Sequence, residues 1–181
     1  MKALINIDYT NDFVAENGAL TCGEPGQKIE NVIVEITKHF INNDDYVVFA
    51  VDCHERNNPY HPETKLFPPH NLEDGLGRML YGKLFDVYIK NRYNSSIHWI
   101  DKTRYSAFAG TDLELRLRER GITEIHVVGV CTDICVLHTV IDAYNKGFSV
   151  VVHKDAVASF NQAGHNWVLE HFEKALGVKV V

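Results

Sequence analysis

Residues 124–147, EIHVVGVCTDICVLHTVIDAYNKG, pass from a strand to a helix with two residues between. The run EIHVVGV (124–130) is rich in β-branched residues, the composition of a strand. The segment from Asp133 to Lys146 reads as a helix, with Thr132 as its N-cap and Gly147 at its end. A strand running straight into a helix is one half of a βαβ unit. The chemistry-bearing stretch CTDIC (131–135) lies at the joint.

The same alternation extends outward in both directions. Strand candidates are ALINI (3–7), YVVFAV (46–51), SIHWI (96–100), FSVVVH (148–153) and the terminal VKVV. Between them, residues 27–40 place Ile29, Val32, Ile33, Ile36 and Phe40 on one helical stripe. In TDLELRLRERG, Thr111 and Glu114 have capping-box spacing and Gly121 supplies a stop. A last helix is expected from about Gln162 to Leu176, with Val168, Leu169, Phe172 and Leu176 turned inward and Gly177 ending it. Strands that alternate with helices predict an α/β domain built on a mostly parallel sheet. Residues 54–95 break the rhythm, holding four of the five prolines over a length beyond an ordinary βα connection.

Composition narrows the function classes. With 181 residues, 45% hydrophobic, the chain has the size and core of a single domain spanning 1–181. Eighteen basic against 24 acidic residues give a net charge of −6, with no basic block that would track phosphates, so nucleic-acid binding is disfavoured. The opening MKALINIDYTNDF reads as a first strand, not a signal peptide. No apolar stretch approaches the roughly 20 residues that span a bilayer, and a cytoplasmic location is expected. Cys22, Cys53, Cys131 and Cys135 are too few for a disulfide scaffold in a chain of this length.

In open α/β sheets ligands bind beyond the carboxyl ends of the strands. Asp8 follows the first strand candidate, Asp52 and His54 the second, Lys102 the third, and Cys135 lies just past the fourth. Cys135, in the first turn of its expected helix, meets unpaired N–H groups that favour a thiolate. Asp8 can serve as its base and Lys102 as the stabilising cation. Taken singly, each has a plainer reading: Cys135, spaced with Thr139 and Ala143, as core, Asp8 as a cap, and Lys102 as a solvated surface residue.

A second constellation is VDCHERNNPYHPETKLFPPH (51–70). Asp52 and His54, two apart, point the same way in an extended segment, and His61, Glu63 and His70 follow. Nitrogen and oxygen donors without a thiolate suit zinc, manganese or iron. By alternation Cys53 points to the other face and into the core, and Cys22 is a turn residue without a partner. Phe13, Phe67, Tyr105 and Phe108 adjoin the same edge and could wall a slot for a flat ring.

INIDYTNDF, VDCHE with FPPH, IDKTRYSAF and GVCTDICVLHTVIDAYNKG, in this order, resemble the nicotinamidase branch of the isochorismatase-like cysteine hydrolases. The resemblance implies a three-layer α/β/α fold with a central six-stranded sheet, and hydrolysis of nicotinamide to nicotinate and ammonia through a thioester, within NAD salvage. It implies Cys135 as nucleophile, Asp8 as general acid and base, and Lys102 as the third member. The N–H groups of Cys131 and Cys135 become the oxyanion hole, with a cis peptide between Val130 and Cys131. Asp52, His54 and His70 match ligands of one divalent metal ion, zinc foremost, with Glu63 preferred to His61 as the fourth. Phe13, Phe67 and Tyr105 fall on the substrate slot. Pyrazinamide-like analogues are possible substrates, and relatives occur as monomers and homo-oligomers. Competing readings are a related amidohydrolase acting on another small amide, a silent binding domain, and a redox module using Cys131 and Cys135.

Overall fold

A computed structural model describes residues 1–181. Its strands are β1 (Ala3–Ile7), β2 (Tyr46–Asp52), β3 (Ile97–Lys102), β4 (Glu124–Val130), β5 (Ser149–Ala158) and β6 (Lys179–Val180). They form one sheet in the order β3-β2-β1-β4-β5-β6, with every pair parallel. The helices are α1 (Asn11–Val14), α2 (Glu24–Lys28), α3 (Glu30–Asn42), α4 (Gly82–Asn91), α5 (Leu113–Glu119), α6 (Leu137–Asn145) and α7 (Gln162–Leu176).

Alternation along the strands feeds two cores. Ala3, Ile5 and Ile7 of β1, with Tyr46, Val48 and Ala50 of β2, face Leu113 and Leu117 of α5, Val140 of α6, and Val168 and Phe172 of α7. Leu4, Val47, Phe49 and Val51 face the other way, onto Ile33 and Phe40 of α3 and Leu84 and Val87 of α4. A sheet covered on both faces needs strands apolar on both, hence the near-continuous runs seen in β1 and β2. The strand order reverses between β1 and β4, and a doubly wound sheet opens its crevice at such a switch point. No helix is long and apolar enough to cross a membrane.

Several local expectations are corrected. The helix expected over 27–40 is two, α2 and α3, joined at Ile29. The Tyr9 hydroxyl donates to Gly26 O at 2.7 Å and Gln27 Nε2 to Val14 O at 3.1 Å, tying α2 to the turn after β1, so the chain bends before α3 begins. The capping box at Thr111 does not form. Asp112 takes the N-cap position, the Thr111 hydroxyl donates to Ala107 O, and Glu114 pairs with Lys146. Strand β5 runs five residues past its expected end at His153, across a register shift opposite Val127 and Gly129. The irregular stretch 54–95 contains two short 3-10 turns and the helix α4.

Candidate active site

Three strand ends deliver the first cluster. Asp8, just past β1, has a left-handed backbone (φ 52°) and donates its N–H to Ala50 O at 3.0 Å. Asp52, the last residue of β2, donates its N–H to Asp8 Oδ1 at 2.8 Å. Lys102, the last residue of β3, is the register partner of Asp52. Its ammonium lies 2.5 Å from Asp52 Oδ1 and 2.7 Å from Asp8 Oδ2, and donates to Arg104 O at 3.2 Å. Asp8, Asp52 and Lys102 are all wholly excluded from solvent.

The fourth member arrives from β4. At Gly129 (φ 121°) a Cβ would lie 2.0 Å from Ile7 O, so only glycine lets β4 approach β1 this closely. The Val130–Cys131 peptide is cis. Residues Thr132–Val136 then form a wide π-type turn, with the Ile134 and Val136 N–H groups both donating to Cys131 O, and regular helix begins only at Leu137. The expected Thr132 cap is absent, because the Thr132 hydroxyl pairs with His165 Nδ1 at 2.8 Å. The Cys131 N–H meets no acceptor in the protein.

One sulfur or carboxylate oxygen each from Asp8, Asp52 and Cys135 falls within a 4.8 Å span. Burial and the neighbouring Asp52 carboxylate push the Asp8 carboxyl up to about 7, against the pull of Lys102. Burial acts to raise Asp52 too, but Lys102 and His54 outweigh it and hold Asp52 below the ordinary carboxylate range. Burial would lower Lys102, yet the two carboxylates carry it well above the usual ammonium value. The Cys135 thiol is raised well above its ordinary value, by burial first, with Lys102 opposing and Asp8 and Asp52 adding to the rise. Burial thus works against the thiolate that a helix N-terminus favours, and the Lys102 ammonium works for it.

Asp52 links this cluster to a second one. Ligand-type atoms of Asp52, His54, Glu63 and His70 also lie within 4.8 Å of one another, and all four residues are buried. His54 Nε2 is 3.7 Å from Asp52 Oδ2, and His70 Nε2 is 3.4 Å from Glu63 Oε2. Asp52 Oδ2, His54 Nε2 and His70 Nε2 are buried without a hydrogen-bond partner, which is costly for groups of this kind unless something else answers them. His70 Nδ1 sits 2.8 Å from Pro68 O, a pure acceptor, so Nδ1 carries a proton and Nε2 is the nitrogen that faces the cluster. His61 is committed elsewhere: its Nε2 donates to Thr103 O at 2.6 Å and its Nδ1 accepts from the Glu63 N–H at 3.3 Å. Two carboxylates and two imidazoles, mutually close and with three of their buried atoms unpartnered, fit a divalent cation.

A narrow cleft of about 330 Å³ touches both clusters, lined by Phe13, Phe67, Tyr105, Asp52, Glu63 and Cys135 among others. Leu20, Cys131, Ile134 and Phe160 complete its wall, and Leu20, Ile134 and Phe160 carry no signal in the local sequence that marks them for it. Phe160 follows the second half of β5, beyond the strand end expected at His153. Phe108 does not join them and stacks on Phe148 in the core, with ring centroids 5.8 Å apart. Cys53 is only half-buried, beside Thr103 and Arg104. Cys22 is buried, donating to Phe13 O at 3.0 Å, and its thiol neighbours that of Cys131.

Residues 2–181 match the model of the isochorismatase domain. The chain is 64% identical over 179 residues to the uncharacterized isochorismatase family protein PncA of Bacillus subtilis, covering 99% of this chain and 98% of that protein. It superposes on a crystal structure of nicotinamidase/pyrazinamidase PncA from Bacillus subtilis with a TM-score of 0.98 at 61% identity, covering all of both chains. A pyrazinamidase of Pyrococcus horikoshii in complex with zinc matches with a TM-score of 0.84 at 30% identity, over 99% of this chain and 98% of that one.

Proposed function

The chain belongs to the isochorismatase family, and from that premise we propose that it is a metal-dependent cysteine amidohydrolase that converts nicotinamide to nicotinate and ammonia. The observation that carries this reading is one cleft, walled by Phe13, Phe67 and Tyr105, that opens on Cys135 at one point and on Asp52 and Glu63 at another. A flat aromatic amide held there would have its ring between aromatic side chains and its carboxamide against the thiol. The nicotinamidase and pyrazinamidase relatives support the same substrate class.

Asp52, His54, Glu63 and His70 would hold a divalent ion, with zinc the first candidate given the zinc-bound relative. When bound, such an ion supplies Lewis acidity and a fixed positive charge at the ring end of the cleft.

At the other end, the Cys135 thiol transfers its proton to the Asp8 carboxylate as its sulfur attacks the carbonyl carbon. The raised affinity of Asp8 for protons, about 7, matches a group that must accept a proton and then give it up near neutral pH. Lys102 keeps Asp8 and Asp52 in place and stabilises the negative charge as it passes from Asp8 to the sulfur. The N–H groups of Cys131 and Cys135 receive the tetrahedral oxyanion, each donor of this kind being worth roughly 3 kcal/mol. Asp8 returns its proton to the departing ammonia, leaving an acyl thioester on Cys135. It then takes a proton from the water that releases nicotinate. We place this reaction in the cytoplasm, within NAD salvage.

The test is ammonia release from nicotinamide before and after chelation. Activity should vanish on chelation and return when zinc, manganese or iron is restored. Turnover untouched by chelation would overturn the metal dependence, and metal-loaded protein that leaves nicotinamide intact would move the assignment to another small amide.

A further inference from the structure

We infer that Asn71 is a positioning residue that holds the His54 and His70 imidazoles at cation-binding separation and ties them to the turn carrying Asp8, a role that rests on reading Asp52, His54, Glu63 and His70 as a cation site.

Asn71 follows His70 directly, is fully buried, and has a left-handed backbone at φ 42°. Asparagine is among the few non-glycine residues that enter this region readily. The conformation turns its three polar arms toward three different segments. The Asn71 N–H donates to Asp12 Oδ2 at 2.7 Å, its carbonyl accepts the His54 N–H at 3.0 Å, and its Oδ1 accepts the Thr10 hydroxyl at 3.0 Å. The next two residues extend the join: Leu72 forms a parallel bridge with His54, and the Glu73 N–H donates to His54 O at 3.0 Å. One residue thus connects the 8–12 turn, the end of β2 and the loop that presents His70.

Asp12, the acceptor of the Asn71 N–H, has room only because of a glycine. A Cβ on Gly77 would lie 2.0 Å from Asp12 Oδ2. Asp12 is anchored in turn by the Ala19 N–H at 3.3 Å. The His54 and His70 ring centroids are 4.6 Å apart, and no direct bond between the two rings sets that spacing. The Asn71 backbone pins His54 to the loop that carries His70, and its side chain, through Thr10, fixes that loop against the Asp8 turn. Groups behind metal ligands fix their orientation in this way, and losing one typically costs 10- to 100-fold in affinity.

Asn71→Gly tests the role while keeping the left-handed backbone and both backbone hydrogen bonds. Thr10→Val removes the same side-chain contact from the other side. Each protein, stripped of metal, is titrated with Co²⁺, read by visible absorption and by competition with a chromophoric chelator. Thermal unfolding of the metal-free forms is followed in parallel. Wild type should bind one Co²⁺. Both variants should bind it roughly 10- to 100-fold more weakly with a changed spectrum, unfold within a few degrees of wild type when metal-free, and regain kcat at saturating Co²⁺. Wild-type affinity and spectrum in both variants would overturn the role, as would metal-free variants that are already unfolded at assay temperature. Wild type that takes up no Co²⁺ would remove the cation site and the role of Asn71 together, a failure visible before any variant is made.

Discussion

The Asp8, Lys102 and Cys135 cluster and the Asp52, His54, Glu63 and His70 cluster are equally buried, yet their charges are met in opposite ways. In the first, the Lys102 ammonium answers carboxylates on two neighbouring strands and donates onward to a backbone carbonyl. In the second, Asp52 Oδ2, His54 Nε2 and His70 Nε2 have no hydrogen-bond partner in the polypeptide. Asp52 belongs to both: Oδ1 contacts Lys102, while Oδ2 turns bare toward His54. A cluster complete in the polypeptide can be built at strand ends and remain rigid. A cluster whose buried polar atoms lack partners in the polypeptide fits the divalent cation proposed for it.

Removing the nucleophile should produce the largest effect. Cys135→Ala should lower ammonia release by about 10⁴-fold or more, as loss of a covalent nucleophile does in comparable enzymes, with little change in thermal unfolding because a neutral thiol is replaced. Cobalt binding should persist, and its loss would show that the two clusters are one unit. Lys102→Met comes next. It leaves Asp8 and Asp52 facing each other without a cation, and breaking a buried pair from one side costs roughly 3–5 kcal/mol of stability. Chemical denaturation measures it, and an unchanged midpoint would mean that the first cluster is not held together by charge.

The second cluster is sharpened by comparing Glu63→Ala with His61→Ala. Glu63 lies within reach of Asp52, His54 and His70, whereas both His61 nitrogens are spent on the backbone. Chelator competition should show a loss of metal affinity beyond 100-fold for Glu63→Ala. His61→Ala should stay within the roughly 10- to 100-fold range of supporting residues. The reverse order would exchange their roles.

How legible each cluster was in the sequence follows from the same contrast. Asp8, Asp52, Lys102 and the Cys131–Cys135 turn end or follow strands, and β1 and β4 have the bounds that their apolar runs predict. The helix α4 escaped because it opens on Gly82 at φ 53° and ends without a glycine stop, inside a proline-rich stretch. The second half of β5 escaped because Lys154 and Asp155 interrupt its apolar run. Between His61 and Glu63, spacing alone could not choose. Two backbone contacts made 42 and 2 residues away distinguish them, and neither leaves a mark on local sequence.

A smaller effect concerns protons. In the metal-free protein the folded state keeps Asp8 protonated up to about 7, whereas the unfolded chain releases that proton near the ordinary value of 3.8. Between those values the folded state binds more protons, so this residue makes stability fall as pH rises. Asp8→Asn should remove that component. Unfolding midpoints of metal-free protein between pH 4 and 7 should therefore decline less steeply in the variant than in wild type. Equal slopes would mean that Lys102 holds Asp8 ionised throughout.

The smallest effect is expected at Cys131, the other cysteine of CTDIC. Its contribution to catalysis is a backbone N–H without a protein acceptor, which alanine retains. What alanine removes is a sulfur that lies against the Cys22 thiol and lines part of the cleft wall. Deleting one buried atom of that size costs about 1 kcal/mol, so Cys131→Ala should lower the unfolding midpoint slightly and change kcat by less than about threefold. If kcat instead falls as far as in Cys135→Ala with KM unchanged, the sulfur takes part in the chemistry. The first cluster would then need a further member that its internal charge balance gives no reason to expect.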